Sequence, residues 1–258
     1  MSGNVKLFGI PIAKVTEAEA VERIVEMVRE GRASARPHRA ALVATLNVDF
    51  VANAVSGRPF GGNDELWGYL KGADFVTADG MPIVVLSKLM RDPLPARVTG
   101  ADLAPAICAR FAREDLSVYV LGGDGPSLEK AFAKLPPVRV AGLDTSIVKL
   151  DEEQPEIIAR INAAKPDLLF VALGNPKQEL WMGRNAAKID VPVMMGVGGT
   201  FNFISGCVKR APSWMQRWGM EWIYRIVQEP RRLWRRYAYG LVKFAWLAIL
   251  QIGGRYNG

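Results

Sequence analysis

The stretch Ser117-Val-Tyr-Val-Leu-Gly-Gly-Asp-Gly-Pro-Ser127 runs from an apolar strand (117–121) through glycines into the start of a helix. β-branched and aromatic residues suit a pleated surface. An apolar run bounded by turn residues is how a strand buried on both faces of a parallel sheet reads. Working outward, the same unit recurs along the chain. Strands are expected at 40–46, 73–77, 138–143, 167–173 and 193–197. Helical spacing appears between them: in 17–30, Ala20, Val21, Ile24, Val25 and Val28 share one face, and 81–90, 101–113, 127–134, 152–164 and 176–187 follow suit. Strands alternating with helices of this length predict an α/β fold, a Rossmann-like and largely parallel sheet flanked by helices. There is no internal repeat and no low-complexity linker.

Half of the 258 residues are hydrophobic and 23% are charged, the balance of a globular chain rather than a disordered one. The net charge of +7 is unevenly placed. From Lys209 to the end there are ten Lys/Arg against two Asp/Glu, and five of the seven tryptophans (Trp214, Trp218, Trp222, Trp234, Trp246); the preceding residues hold 23 basic and 24 acidic groups. That shift divides the chain into an α/β catalytic core, 1–206, and a basic, Trp-rich helical appendage, 207–258.

In helical projection Leu233, Trp234, Tyr237, Leu241, Phe244 and Ala248 fall in one sector, with Arg231, Arg232, Arg235, Arg236 and Lys243 opposite. Such a helix either packs its apolar face on the core or lies on an anionic membrane surface; the density of Trp, Tyr and Arg favours the membrane. Residues 237–253, interrupted by Lys243 and Gln251, are too short to span a bilayer core of about 30 Å. Self-association is a second way to shield the apolar tail. Residues 1–14 lack the apolar region of a signal peptide, and Cys108 and Cys207 have no metal or disulfide spacing, so residence in the cytoplasm is expected.

The unusual residues cluster after the strands, where open α/β sheets bind ligands. Gly122, Gly123, Gly125 and Ser127 form a loop whose backbone N–H groups would receive a nucleotide diphosphate at a helix N-terminus, or else serve only a tight turn. A dinucleotide fingerprint fits poorly, since its third glycine would fall at Leu128; Asp144 nonetheless stands where a ribose-binding acid would. Asp79, before Gly80, is either a proton-accepting carboxylate or a helix cap. Asn47, after Thr45, is also open to a plain turn reading. In Gly174-Asn-Pro-Lys-Gln-Glu179, helix initiation accounts for Asn175 as cap and Pro176 as first helical residue, but not for Lys177 and Gln178. His38, the single histidine, sits in a basic loop, which argues against a Ser-His-Asp or Cys-His triad. No Asp-x-Asp pair or ligand cluster calls for a metal, so a diphosphate leaving group would rely on arginines and backbone donors.

Taken in order, Thr45-Leu-Asn47, Ala78-Asp-Gly80, Arg97-Val-Thr-Gly-Ala-Asp102, the 174–179 motif, and the 210–237 run with its Arg-Ala-Pro-Ser-Trp-Met and Glu-Pro-Arg-Arg-Leu-Trp-Arg-Arg-Tyr segments resemble the WecG/TagA/CpsF family of bacterial glycosyltransferases. The likeness is weaker at 142–148. The resemblance implies a cofactor-free, metal-independent, inverting transfer of a hexose-type sugar. The donor would be a UDP-sugar, and the acceptor a sugar carried on a polyprenyl diphosphate at the cytoplasmic face of the inner membrane. By the same resemblance Asp79 is the general base. Thr45, Asn47 and Gln178 position substrate, Arg97 steadies phosphate, and Arg225, Arg232 and Arg235 close over the departing UDP. Two rival readings are an NAD(P)-dependent oxidoreductase and a basic nucleic-acid-binding module; neither explains the polar strand ends as economically, and no nucleic-acid partner is expected.

Overall fold

The computed structural model describes residues 3–34, 39–57, 59–217 and 219–256; His38 and Trp218 lie outside them. In chain order the elements are β1 (Asn4–Leu7), β2 (Ile10–Ala13), α1 (Glu17–Ala33), β3 (Ala41–Leu46), α2 (Val48–Ala54), α3 (Asp64–Gly72), β4 (Phe75–Ala78), α4 (Met81–Leu89), α5 (Gly100–Ala112), β5 (Ser117–Gly122), α6 (Gly125–Phe132), β6 (Arg139–Asp144), α7 (Pro155–Ala164), β7 (Leu168–Ala172), α8 (Lys177–Asn185), β8 (Val193–Gly196), α9 (Thr200–Ser205), α10 (Ser213–Arg217), α11 (Glu221–Gln228) and α12 (Pro230–Ile252).

Six strands form one parallel sheet in the order β4-β3-β8-β7-β5-β6, while β1 and β2 make a separate antiparallel hairpin. Alternation along the strands serves two cores. Leu42, Ala44, Leu46, Leu121, Val171 and Met194 face the hairpin, α2, α3 and α8 on one side. Val43, Val118, Val120, Phe170 and Met195 face α1, α5 and α6 on the other. Burial on both faces is why these strands read as unbroken apolar runs. Helix starts are set locally. Thr16 and Glu19 form a reciprocal capping box on α1, and Asn47, Asn63, Thr99 and Asp124 cap α2, α3, α5 and α6.

Each expected strand is present, its ends displaced by a residue or two. The hairpin and the short helices α2, α3 and α9 were not expected. Two cap readings are corrected. Gly80, not Asp79, caps α4, and α8 begins at Lys177 with Pro176 as cap, because the Asn175 side chain turns instead to Glu179.

The C-terminal residues lie against the core. Phe244 and Leu247 are buried, Phe8 meets Phe244 and Tyr256 edge-on, and the Phe8 N–H donates to Gln251. Lys243, placed by projection on the polar face, is 1% exposed, its ammonium donating to the carbonyls of Ala52 and Gly61. The projection misplaced it because α12 has two apolar sides. The inner one packs on α2, while Tyr239, Val242, Trp246, Ile249 and Ile252 are exposed on the outer one. Among the described residues no helix is long and apolar enough to cross a membrane.

Candidate active site

A cavity of about 480 Å³ opens at the carboxyl ends of β4, β3, β8 and β7, and α11 and the start of α12 form its far wall. A parallel sheet points the loops after its strands to one edge, which brings Thr45, Asn47, Asp79, Arg97 and Gln178 together from distant parts of the chain.

Asp79 follows the last residue of β4, and its backbone N–H donates to Leu46 O at 2.8 Å, which pins it beside β3. Burial pushes its carboxyl from the usual 3.8 up to about 7; the Arg97 guanidinium and the Gly100 N–H pull it down, while Glu221 and Asp102 push it further up. A carboxylate near 7 in a cavity is matched to accepting a proton at neutral pH.

Asn47 caps α2, its Oδ1 accepting the Phe50 N–H at 3.1 Å as the turn reading expects, and it also lines the cavity. Arg97 donates to Glu221 Oε2 at 3.3 Å. Arg210 grips Asp102 through two bonds of 2.6 and 3.1 Å and reaches Glu221 Oε1 at 3.3 Å. Glu221 therefore ties α11 to the core next to Asp79. Arg225 lines the cavity with its guanidinium 5.4 Å from the Phe203 ring centre, and Arg236, also lining it, pairs with Asp49 at 2.9 Å. Four guanidinium groups thus face one space alongside Trp222, Tyr237 and Leu241.

Gln178 is 5% exposed, and its Oε1 accepts the N–H groups of Gly174 (3.1 Å) and Gly198 (2.9 Å), stitching the β7 and β8 loops together. Below it Glu179 accepts from Gln178 Nε2 and Asn175 Nδ2; burial raises its carboxyl from 4.5 to about 7 against those two bonds.

Several expected site residues stand elsewhere. Gly122, Gly123, Gly125 and Ser127 do not line the cavity. Gly122 and Gly123 adopt φ of +92° and +80°, as the tight turn requires. The Ser127 N–H that an anion would use is taken by the Asp124 carboxylate at 2.9 Å. The Asp144 carboxylate, 7% exposed, is bound by Arg160, the Ser146 N–H and Tyr119 at the sheet's far end. Lys177 and Arg235 are not among the lining residues; Arg235 lies over Trp234 on the outside. The side chain of Arg232 lies outside the described residues.

Sequence reasoning did not single out Asp102, Glu179 and Glu221, or the Gly196-Val-Gly-Gly-Thr200 run that floors the cavity after β8, and it placed Arg236 and Tyr237 only on opposite faces of the last helix. Asp102 and Glu179 were visible as the last letters of quoted motifs, and the glycine run as the sharpest turn signal after a strand.

Residues 5–258 match the model of the glycosyl transferase WecG/TagA/CpsF family. Two similar proteins are the N-acetylglucosaminyldiphosphoundecaprenol N-acetyl-beta-D-mannosaminyltransferases of Bacillus spizizenii strain W23 and Bacillus subtilis strain 168. The first is 32% identical over 203 residues, covering 77% of this chain and 75% of the relative. The second is 29% identical over 200 residues, covering 76% and 74%. The chain belongs to the WecG/TagA/CpsF family and is a glycosyltransferase. That membership displaces the oxidoreductase and nucleic-acid readings.

Proposed function

We propose that this enzyme moves a hexose-type sugar from a UDP-sugar to the hydroxyl of a sugar carried on a polyprenyl diphosphate, with inversion and without a metal. The observation that carries the reading is Asp79, a carboxylate lifted to about 7 in a cavity it shares with Arg97, Arg210, Arg225 and Arg236. In the proposed step the acceptor oxygen attacks the anomeric carbon while Asp79 takes its proton. The bond from that carbon to the UDP oxygen breaks, and the electron pair leaves on the diphosphate. Arginines facing that oxygen stabilise the charge it gains, as preorganised donors do in a site shielded from water. Thr45, Asn47 and Gln178 hold the sugars. The names of the Bacillus relatives make N-acetylmannosamine the first donor sugar to try and N-acetylglucosamine the first sugar on the acceptor.

A lipid-borne acceptor requires work at a membrane. The exposed apolar side of α12, with Arg231 and Arg235 exposed near its start, suits peripheral docking on an anionic leaflet, which we place at the cytoplasmic face of the inner membrane. The appendage then has two tasks, contact with lipid and closure of the cavity through Glu221, Arg225 and Tyr237. The test is UDP release from a panel of UDP-sugars with a short-chain polyprenyl diphosphate sugar, EDTA present. Acceptor-dependent release that falls at least about a hundredfold in Asp79→Asn is expected; no release with any donor would overturn the reading.

A further inference from the structure

We propose that Glu179, which does not reach the cavity, is a positioning residue that fixes the orientation of two amides that do, those of Gln178 and Asn175. The inference rests on the reading of Gln178 as a group that holds substrate.

Fixed backbone chemistry sets the direction of every bond. The backbone N–H groups of Gly174 and Gly198 can only donate, so the side-chain oxygen of Gln178 must face them and its NH₂ must face Glu179. Glu179 Oε2 faces the NH₂ of Asn175 at 3.0 Å, which turns the Asn175 oxygen toward Asn53 Nδ2 at 2.7 Å. Two NH₂ groups thus converge on one side chain. Among side chains of this shape only a carboxylate accepts from both, since an amide would offer one of them a second donor. Each NH₂ keeps one hydrogen that Glu179 does not use.

Nothing about core packing calls for an ionisable group there. Glu179 is 1% exposed, the described groups that act on its carboxyl are amides and backbone rather than cations, and burying an unpaired carboxylate is unfavourable. Room for it is built into β8. A Cβ on Gly196 would come within 2.6 Å of Gln178 Nε2 and 3.1 Å of Glu179 Oε1. The first-turn position of Glu179 in α8 disguises it in the sequence as an ordinary helix-start acid.

Glu179→Gln keeps size and removes acceptor capacity, so one amide must flip or shift. The experiment compares wild type, Glu179→Gln and Gln178→Ala as full chains. It measures UDP release on vesicles carrying the acceptor, thermal melting, and the side-chain amide NMR signals of Gln178 and Asn175. Expected for Glu179→Gln are a fall in kcat/KM of about ten- to a hundredfold, the scale of a misplaced substrate group, a melting temperature equal to or above wild type, and displacement of at least one amide signal. Unmoved amide signals, or kcat/KM within about twofold of wild type, would overturn the proposal. So would a melting temperature lowered by more than about 10 °C, which would mark the role as structural. Normal turnover in Gln178→Ala would sink the reading of Gln178, and this inference with it; impaired Gln178→Ala beside intact Glu179→Gln would sink this inference alone.

Discussion

Replacing Asp79 with Asn should cut turnover at least about a hundredfold and, above about pH 4, make the protein increasingly more stable than wild type. Moving the carboxyl from 3.8 to about 7 corresponds, at about 1.4 kcal/mol per pH unit, to about 4 kcal/mol against the ionised form in the folded state. Solvent in the cavity reaches part of this side chain, so about 2 to 4 kcal/mol is the working range. The sign follows from which state holds the proton more tightly, and here it is the folded one. Below about pH 4 the carboxyl is protonated in both states and nothing is lost. Between about pH 4 and 7 the unfolded chain ionises first and stability falls; above 7 the full penalty applies. Asn is neutral throughout and escapes that slope. Urea unfolding across this range should show the two proteins nearly equal at the acid end. The variant should be ahead by about 2 to 4 kcal/mol at pH 8, or roughly 5 to 15 °C in melting temperature. UDP release should fall at least about a hundredfold at every pH. Stability curves that run parallel for wild type and variant would refute the argument that burial lifts Asp79, and with it the reason for assigning it as base.

Lys243→Met keeps the stem and removes the ammonium that Ala52 and Gly61 share, leaving two carbonyls short of a donor; chemical denaturation should report a loss of about 2 to 3 kcal/mol. Tyr69→Phe deletes a hydroxyl that is buried without a hydrogen-bond partner among the described residues, and should raise stability by about 1 kcal/mol in the same assay. Paired Val242→Glu and Ile249→Glu changes, at two positions more than 60% exposed on the outer side of α12, should abolish cosedimentation with anionic vesicles and leave the circular dichroism spectrum unchanged. Undiminished binding would move the docking surface elsewhere.

The strand positions were legible because burial on both faces leaves a chemical trace that needs no partner to be seen. The β1–β2 hairpin left too little. Val5, Leu7, Ile10 and Ile12 do alternate, but over strands of four residues joined through Phe8 and Gly9 at positive φ. The glycine loop at 122–127 was ambiguous for a different reason. Its composition serves an anion or a turn equally well, and only the Asp124 carboxylate on the Ser127 N–H shows that the donor is spent.

By itself the sequence determined the α/β class and the family, and it marked Asp79, Asn47, Arg97 and Gln178 as the groups to watch. These rest on local periodicity and on residue order, which the chain carries in one dimension. Tertiary structure alone decided that β3 and β8 are neighbours, so that Thr45 and Gln178 share a cavity. It also decided which side of α12 faces the core, that Lys243 is buried, and that Glu221 reaches across from the appendage to Arg97. Those outcomes depend on which surfaces meet. A helical projection or a motif fixes what a residue can bond to, while only the packed chain fixes what stands within 3 to 4 Å of it.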